Sequence, residues 1–590
     1  MTGLTPFTIQ AISNRIASIL NEQQTALIRT AFSTVVRESE DLACGLFNAA
    51  GQMIAQSITG TPGHINSMAT GVRHFVEAFP PERLEPGDVL ITNDPWKTAG
   101  QVNDFTIVTP VFTDDGPIAY FASTCHAPDI GGRQFSGEAR EVYEEGLQIP
   151  MLKIFSAGKP NNDVLDIIRM NVRQPEETVG DIYAQISSNE VGVRRLTALL
   201  AEFDLRDVEG IGHEVISRSE QAMRAGIAAL PDGTYTNEAW TDGFDEPIVL
   251  RCTVIVSGDE LTVDWTGSSP QSLRGINLVL NYTHAYTSYA MKAALAPDVP
   301  HNDGAFRPVH VSAPVGSILN CEHPAPVASR HVIGHFLPGI IFGALAPAMP
   351  GRLLAGSADA LWITVWQGRN LARQAFSQAV FQLGGMGARP TKDGLSATGF
   401  PSGVAGMPAE VIESLSPLVL RTRGLIPDSG GAGRYRGGLG QTRVVSCATD
   451  RPWSVSGLLD RTHHPAPGLE GGCPGAVGEF RLVDGDDLPL KRVVSLDPDA
   501  AVALHLPGGG GFGSPYLREA ERVLDDVVEG YVSIERAHSD YGVVIEYVGR
   551  PDALVRPRAS YRLDLAATEA LRARPRDAAT ADVALAVKAR

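Results

Sequence analysis

Two short polar clusters in the sequence contain residue types that can bind a divalent cation together. Gln101 and Asp104 form the first cluster, Q-x-x-D, and His126 and Asp129 form the second, H-x-x-D. Carboxylate and imidazole groups suit Mn, Zn and Fe almost equally well. Asp and His at strand ends also commonly cap turns and meet water. The residue types therefore leave both a metal centre and a solvated turn open.

A β-hairpin between the clusters would bring them to one place. Two runs rich in Val, Ile, Thr and Phe lie between them, at residues 105–112 and 118–124. An Asp-Asp-Gly sequence joins the runs and supplies the residues of a hairpin turn. Pairing about this turn places Asp104 opposite Cys125 or His126, roughly 5 Å apart at Cβ. It also places Gln101 opposite Asp129 or its neighbour.

The elements around the hairpin are readable from local patterns. Pro110 predicts that the first strand lies at a sheet edge, because proline has no N–H to donate to a central ladder. Thr5-Pro6, followed by apolar residues at helical spacing, predicts a helix from residue 6 to about 35. Further strands are predicted at residues 42–48 and 87–92, and a further helix at residues 67–79.

Two histidines farther along the chain could share one helix face. His331 and His335 are four residues apart, which is the spacing of neighbouring side chains on a helix. No H-E-x-x-H signature accompanies them, so this spacing alone is a weak sign of metal binding.

The composition excludes several classes of protein. The 590 residues are 43% hydrophobic and 20% charged, with a formal net charge of -18. These values describe an ordinary globular protein and argue against nucleic-acid binding, which uses concentrated Lys and Arg. No apolar run approaches the length of a membrane span, and the start of the chain lacks the basic region of a signal peptide. The six scattered cysteines fit reduced thiols, so a cytoplasmic location is expected.

The order of helical and strand-rich segments predicts a multidomain α+β protein. We expect a helical N-terminal region with mixed and antiparallel sheets, followed by β-rich middle and C-terminal modules. Four segments are predicted: an α+β domain at 1–230 that carries the hairpin at 91–132, a mixed α/β domain at 231–420, a glycine-rich β module at 421–515 and a helical C-terminal tail at 516–590.

Several segments resemble the hydantoinase B/oxoprolinase family, from near residue 5 to near residue 545. That family includes the large subunits of ATP-dependent hydantoinases and of acetone- and acetophenone-type carboxylases. The matching positions around the two clusters are Thr92-Asn-Asp-Pro95, Asp104, His126 and Asp129-Ile-Gly-Gly132; farther on they include Pro300-His-Asn-Asp-Gly304 and the glycine-rich run from Arg421. The family pattern has His-x-x-Asp where this chain has Gln101 and Asp104.

The resemblance implies roles for particular residues. In the family's carboxylases, the first histidine of that pattern, the aspartate three residues on and the second histidine bind a metal. Carried over, this implies Asp104 and His126 as catalytic residues and metal ligands. Gln101 would be a weaker oxygen ligand in place of the histidine. The remaining candidate ligands occupy positions that match the family pattern: Glu38, with Asp41 supporting it, His64 and Asp129.

The resemblance also implies that the chain works with a partner. A hydantoinase A-like ATP-binding subunit would activate a small-molecule substrate, either a cyclic amide or a ketone. This chain would act on the activated species at a divalent metal such as Mn, Zn or Fe. The glycine-rich run at 507–514 has no Lys after its glycines, so it is not a Walker A phosphate loop. That agrees with ATP being bound by the partner in a hetero-oligomer.

Three functions are compatible with these residues. The preferred prediction is the metal-containing subunit of an ATP-dependent cyclic-amide hydrolase of hydantoinase or 5-oxoprolinase type. The second is a subunit of an ATP-dependent ketone carboxylase of acetone or acetophenone type. The third is a non-catalytic scaffold subunit whose metal site has decayed, as Gln101 would suggest.

Overall fold

The first helix begins as the sequence predicts. The side chain of Thr5 accepts a hydrogen bond from the backbone N–H of Thr8 at 3.1 Å, and Pro6 stands at the first helical position. The computed structural model describes residues 5–359 and 361–573. Within them the α-helices are α1 (Pro6–Thr30), α2 (Thr34–Arg37), α3 (Pro62–Ala78), α4 (Asn162–Asn171), α5 (Pro175–Glu202), α6 (Glu209–Ala228), α7 (Leu280–Leu295), α8 (Asp303–Phe306), α9 (His331–Gly334), α10 (Phe336–Leu345), α11 (Ala409–Leu415), α12 (Ala520–Val528), α13 (Ile534–Ser539) and α14 (Leu565–Arg572).

The strands confirm the α+β class, because they form several separate and mainly antiparallel sheets. In chain order the strands are β1 (Leu42–Asn48), β2 (Met53–Gln56), β3 (Val89–Thr92), β4 (Asp104–Thr113), β5 (Gly116–His126), β6 (Leu152–Ser156), β7 (Lys159–Pro160), β8 (Gly233–Thr241), β9 (Ile248–Ser257), β10 (Glu260–Asp264), β11 (Val309–Ser312), β12 (Trp362–Arg369), β13 (Ala375–Gln382), β14 (Leu418–Leu425), β15 (Gln441–Cys447), β16 (Trp453–Leu458), β17 (Glu479–Leu482), β18 (Val493–Leu496), β19 (Ala501–His505), β20 (Val544–Tyr547) and β21 (Tyr561–Asp564).

The predicted hairpin, formed by β4 and β5, lies at the centre of a seven-stranded sheet of order β2-β1-β5-β4-β3-β6-β7. Asp104 pairs with His126 in its register, which confirms one of the two pairings expected from the turn. The ladder stops at this pair, because β4 begins at Asp104 and β5 ends at His126. Gln101 and Asp129 therefore do not face each other across the ladder, contrary to the prediction.

β4 is not an edge strand. It lies between β5 and β3, so the expectation drawn from Pro110 is wrong. β3 pairs only with residues Thr106 to Val108 of β4, and Pro110 lies beyond that short pairing. The N–H that proline lacks is therefore not needed by β3, which is why a central strand accepts proline here.

Both faces of the seven-stranded sheet are buried, as successive residues of β5 show. Phe121 belongs to a cluster with Ile16 of α1 and Leu196 of α5, whereas Tyr120 belongs to a cluster with Met68 of α3 on the opposite face. Because side chains alternate along a strand, one strand contributes to both cores. The helices on both faces hold the hairpin in place.

Three four-stranded sheets and a two-stranded hairpin complete the β-structure of residues 5–359 and 361–573. One sheet contains β8 to β11, with β10 and β11 parallel. The next contains β12, β13, β16 and β18, and the last contains β14, β15, β17 and β19. The sheet that contains β12 thus joins strands from both sides of residue 420, where the sequence predicted a domain boundary.

The C-terminal segment is less helical than expected. Between residues 516 and 573, helices α12 to α14 accompany the hairpin of β20 and β21, while residues 574–590 lie outside the described residues. Among the described residues, every helix is too short or too polar to cross a lipid bilayer.

Candidate functional site

The centre of the candidate site is a hydrogen-bonded pair at the open end of the hairpin. Nδ1 of His126 lies 2.9 Å from Oδ1 of Asp104, and both side chains are buried. An ionised carboxylate only accepts hydrogen bonds, so Nδ1 must carry the proton. A neutral imidazole then has its lone pair on Nε2, which can take a proton from water or bind a cation.

Two further elements bring His64 and Asp41 to the same carboxylate. His64 lies in the first turn of α3, and its Nε2 is 3.2 Å from Oδ2 of Asp104. Its Nδ1 is 3.5 Å from Oδ1 of Asp41, which accepts a hydrogen bond from Thr61 at 2.8 Å. Asp41 precedes β1, and its carbonyl oxygen accepts the backbone N–H of His126. The structure thus gathers Asp41, His64, Asp104 and His126 in one cluster.

Arg330, which the sequence analysis did not single out, occupies the middle of this cluster. Its Nη2 donates to Oδ2 of Asp104, and its Nη1 donates to Oε1 of Gln101. Nε donates to the carbonyl oxygen of Ala99 at 2.6 Å, and the guanidinium carbon lies 4.2 Å from the centre of the Tyr282 ring. In this fold Gln101 is an acceptor for an arginine.

The charges within the cluster determine which groups are ionised. Burial disfavours the charged form of Asp104, but Arg330 and His64 outweigh it and hold the pKa of this carboxyl well below its ordinary value. Burial also disfavours the imidazolium of His64, yet the carboxylates of Asp104 and Asp41 outweigh it and raise the pKa of His64 above 6.5. Asp104 is therefore ionised over the whole physiological pH range.

His331 and His335 face the same region as neutral groups. Burial lowers the pKa of His335 to about 3. Burial, together with His335 and Arg330, lowers the pKa of His331 well below its ordinary value. Nε2 of His331 is buried and has no hydrogen-bond partner among the described residues. The helical spacing noted in the sequence therefore does place both histidines at the site.

A cavity of about 20 Å³ lies among these side chains. His126, Arg330, His331 and His335 line it, together with Ser402 from a distant loop. This volume suits a single water molecule, which needs polar partners of the kind present here. It is too small for a cyclic amide.

Glu38 and Asp129 do not join the cluster. Glu38 is partly exposed and pairs with Arg37 at 3.2 Å. Asp129 forms an ion pair with Arg173 at 2.8 Å, because the ladder ends at His126 and the chain then turns away. Neither residue lines the cavity, so the structure does not bring these two predicted ligands to the site.

A buried glutamate that the sequence analysis also missed supports Gln101. Oε1 of Glu145 accepts hydrogen bonds from the backbone N–H groups of Val327 and Ala328 at 2.6 and 2.8 Å. The carbonyl oxygen of Ala328 accepts the side-chain amide of Gln101 at 2.6 Å. Burial raises the pKa of Glu145 to about 8.

The only sequence signal for Arg330 was its place beside His331 in a largely apolar segment.

As arranged, these side chains do not fit a divalent ion. Asp104 already accepts from His126, His64 and Arg330, and Oε1 of Gln101 is bound to Arg330. An ion here would lie beside the guanidinium, and buried like charges repel strongly. Across residues 5–359 and 361–573, no group of three or more His, Cys, Asp or Glu side chains has the arrangement of a metal site. The expected Mn, Zn or Fe stays a prediction for metal analysis to test.

A larger cleft of about 710 Å³ lies between α5 and the sheet that contains β12. Its lining includes Arg173, Glu177, Gln378 and Trp453, and it shares no lining residue with the small cavity. The volume is in the range of small-molecule sites. His126, however, lines the small cavity.

Comparisons with known proteins agree with one another. Residues 5–515 match the family model described as Hydantoinase B/oxoprolinase. A subunit of a putative D-/L-hydantoinase from Pseudomonas sp. (strain NS671) is 32% identical over 569 residues, which cover 92% of this chain and 95% of that protein. The beta subunit of caprolactamase from Pseudomonas jessenii is 30% identical over 578 residues, which cover 94% and 98%. The crystal structure of the ATP-dependent caprolactamase from Pseudomonas jessenii has a TM-score of 0.87 at 27% identity and covers 97% of this chain and 100% of that one.

Proposed function

This chain belongs to the hydantoinase B/oxoprolinase family, and from that membership we propose that it is a subunit of an ATP-dependent cyclic-amide hydrolase. Hydantoin and caprolactam, after which two relatives are named, are both cyclic amides. The proposed substrate is therefore a small cyclic amide whose ring carbonyl has been activated. The proposed reaction is attack by water on that carbonyl.

The observation that carries this proposal is the buried Asp104–His126 pair beside a water-sized cavity. Asp104 keeps the proton on Nδ1 of His126 and orients the ring, which leaves Nε2 as the base. Water in the cavity would give its proton to Nε2 as its oxygen attacks the carbonyl carbon. The imidazolium would then return this proton to the ring nitrogen as the ring C–N bond breaks. Arg330 would stabilise the negative charge that develops on oxygen. The cavity admits water and no cyclic amide, so a catalytic role requires it to widen when substrate binds.

We assign ATP binding to a separate subunit. Two relatives that match over most of their own length are each named as one subunit of an enzyme. The glycine-rich run at 507–514 lacks the lysine of a phosphate-binding loop. A hydantoinase A-like partner in a cytoplasmic hetero-oligomer is thus part of the proposal.

The test is an assay of the chain together with an ATP-binding partner. We expect ATP-dependent ring opening of hydantoin, 5-oxoproline or caprolactam. It is followed as the ADP formed and the ring-opened product, which is a carbamoyl amino acid from hydantoin and an amino acid from the other two. His126→Ala should lower kcat by about 10²-fold, the usual contribution of a general base. His310→Ala is the matched control, because His310 is an exposed histidine that pairs with Glu260 on another sheet.

Two other outcomes would contradict the hydrolase assignment, and a third would contradict the mechanism proposed for it. Carboxylate formed from a ketone, with a requirement for bicarbonate, would make the chain part of a carboxylase. A stable complex without turnover would make it a scaffold. Equal activity in wild type and His126→Ala would remove the acid–base role of the Asp104–His126 pair.

A further inference from the structure

We propose that the Arg330 guanidinium stands in the place of a divalent ion, so that this chain uses a fixed organic cation where a metal was expected. The exclusion of a metal depends only on the geometry of the site. The role of Arg330 in the reaction rests on the proposed function.

Each of the three guanidinium nitrogens has a hydrogen-bond acceptor. Nη2 donates to Asp104 and Nη1 to Gln101, while Nε donates to the carbonyl oxygen of Ala99 at 2.6 Å. One flat face lies over the ring of Tyr282 at 4.2 Å, a distance at which a cation is attracted to an aromatic face. A long side chain that is fixed at so many points has little freedom to leave the cluster.

Gln101 fits an arginine better than it fits a metal. Its Oε1 accepts from Arg330, and its Nε2 donates to the carbonyl oxygen of Ala328 at 2.6 Å. Both ends of the amide are therefore satisfied, which fixes its orientation. A histidine at this position could offer one lone pair to a metal ion. The residue that departs from the family pattern is thus the one that holds the guanidinium.

The ionised carboxylate of Asp104 already has a cationic partner without a metal. The permanently charged guanidinium of Arg330 forms a buried ion pair with it. A divalent ion would add two positive charges to this buried group. Uncompensated buried charge is costly. An ion could enter only if Arg330 left.

The position of Arg330 also suits a role beside the reacting atoms. Arg330 lines the small cavity together with His126 and His331. A guanidinium carries five N–H groups, and three of them are used in the contacts with Asp104, Gln101 and Ala99. Two remain to meet an oxygen in the cavity. A preorganised cation at this place stabilises negative charge that develops on oxygen.

The test is metal retention by the purified full-length chain. Wild type, His126→Ala and the double variant Gln101→His/Arg330→Met are incubated with Mn²⁺, Zn²⁺ or Fe²⁺ and desalted. Bound metal is then measured by elemental mass spectrometry. We expect wild type to retain no more metal than His126→Ala. The double variant should retain a stoichiometric amount, which a further His126→Ala change should remove. Exposed Arg251 and His310 provide the control variants Arg251→Met and His310→Ala.

Two results would overturn the inference. A stoichiometric metal in wild type that is lost in His126→Ala would show that an ion displaces the guanidinium. A double variant that is folded by circular dichroism yet retains no metal would show that Arg330 is not what excludes the ion. If the double variant fails to fold, metal retention by wild type compared with His126→Ala still tests the inference. A second measurement supports it, because neither added metal nor a chelator should shift the Tm of wild type. None of these measurements uses substrate, so their outcome does not depend on whether the hydrolase assay succeeds.

Discussion

At the scale of single residues, the site depends on how one buried carboxylate is shared. Asp104 accepts from His126, His64 and Arg330. Removing His126 leaves the Arg330–Asp104 ion pair intact, whereas removing Asp104 would leave Arg330 as a buried charge without its carboxylate. Breaking a buried ion pair in this way typically costs roughly 3–5 kcal/mol. Loss of activity at Asp104 would therefore mix a catalytic effect with a structural one.

Glu145 gives a prediction about pH, because its ionisation is tied to the backbone that carries Arg330. The ordinary pKa of 4.5 is raised to about 8 by burial. Between these values the folded protein keeps a proton that the unfolded chain has released. The stability that this proton contributes is fully present below about pH 4.5 and is lost as pH rises toward 8.

The variant Glu145→Gln tests this linkage, because glutamine resembles a protonated glutamate and does not titrate. The free energy of unfolding, measured by urea denaturation at several pH values, should fall more steeply with pH in wild type than in the variant. Between pH 4.5 and 8, Glu145 alone can lower the free energy of unfolding by at most ~1.4 kcal/mol for each pH unit. Parallel curves for the two proteins would contradict the raised pKa. Glu238→Gln, at an exposed ion pair, serves as the control.

At the scale of elements, glycine-rich segments let backbone pack directly on backbone. Gly437, in the glycine-rich run that starts at Arg421, lies against Gly509 of the run at 507–514. A Cβ at Gly437 would lie 1.9 Å from the carbonyl oxygen of Gly509. The carbonyl belongs to a buried segment and has no flexible side chain to move aside. The glycines in these runs therefore serve packing of the chain against itself.

The element-scale prediction is that Gly437→Ala destabilises the protein. Forcing a methyl group into a filled space typically costs about 1–3 kcal/mol of stability. We expect a loss near the upper end of this range, because the methyl group would meet backbone atoms of Gly509. Gly424→Ala is the matched control, since Gly424 lies in β14 and an added Cβ would meet nothing within 4 Å. Thermal unfolding of the two variants beside wild type decides the matter. Equal Tm values would show that the runs can separate at little cost.

At the scale of the whole molecule, sheets join distant parts of the chain. β12 pairs with β16, so residues near 365 are hydrogen-bonded to residues near 456. His126, Arg330 and Ser402 likewise come from separate segments, yet all three line one cavity. The predicted boundary at residue 420 therefore does not mark the end of an independent unit of sheet structure.

The whole-molecule prediction is that a fragment ending at residue 420 does not fold by itself. It would keep β12 and β13 but lose β16 and β18 from the same sheet. Unpaired strand edges of this kind favour aggregation. A fragment ending at residue 515 keeps all four of the larger sheets and is the matched comparison. Size-exclusion chromatography and limited proteolysis of both fragments test this. A monomeric, protease-resistant 1–420 fragment would contradict it.

Much of the local structure followed from the sequence. The helix start at Thr5 and the strand at 42–48 are confirmed, and the hairpin has one of the two registers predicted, with Asp104 opposite His126. Helix capping, the alternation of side chains in a strand and a hairpin turn each depend on residues close together in the sequence. A short stretch of sequence is therefore enough to predict them. Pro110 led to the wrong prediction that β4 is an edge strand. The sequence around Pro110 contains no information on the length of β3, whose pairing with β4 ends before Pro110.

The sequence alone thus determined the family and limited the residue opposite Asp104 to Cys125 or His126. Only the tertiary structure decided what surrounds Asp104. Arg330 is 226 residues from Asp104 along the chain, and no spacing rule connects positions so far apart. Which cation faces a buried carboxylate depends on how helices and sheets pack around it. For that reason the sequence predicted a metal at this carboxylate, and the fold places an arginine there.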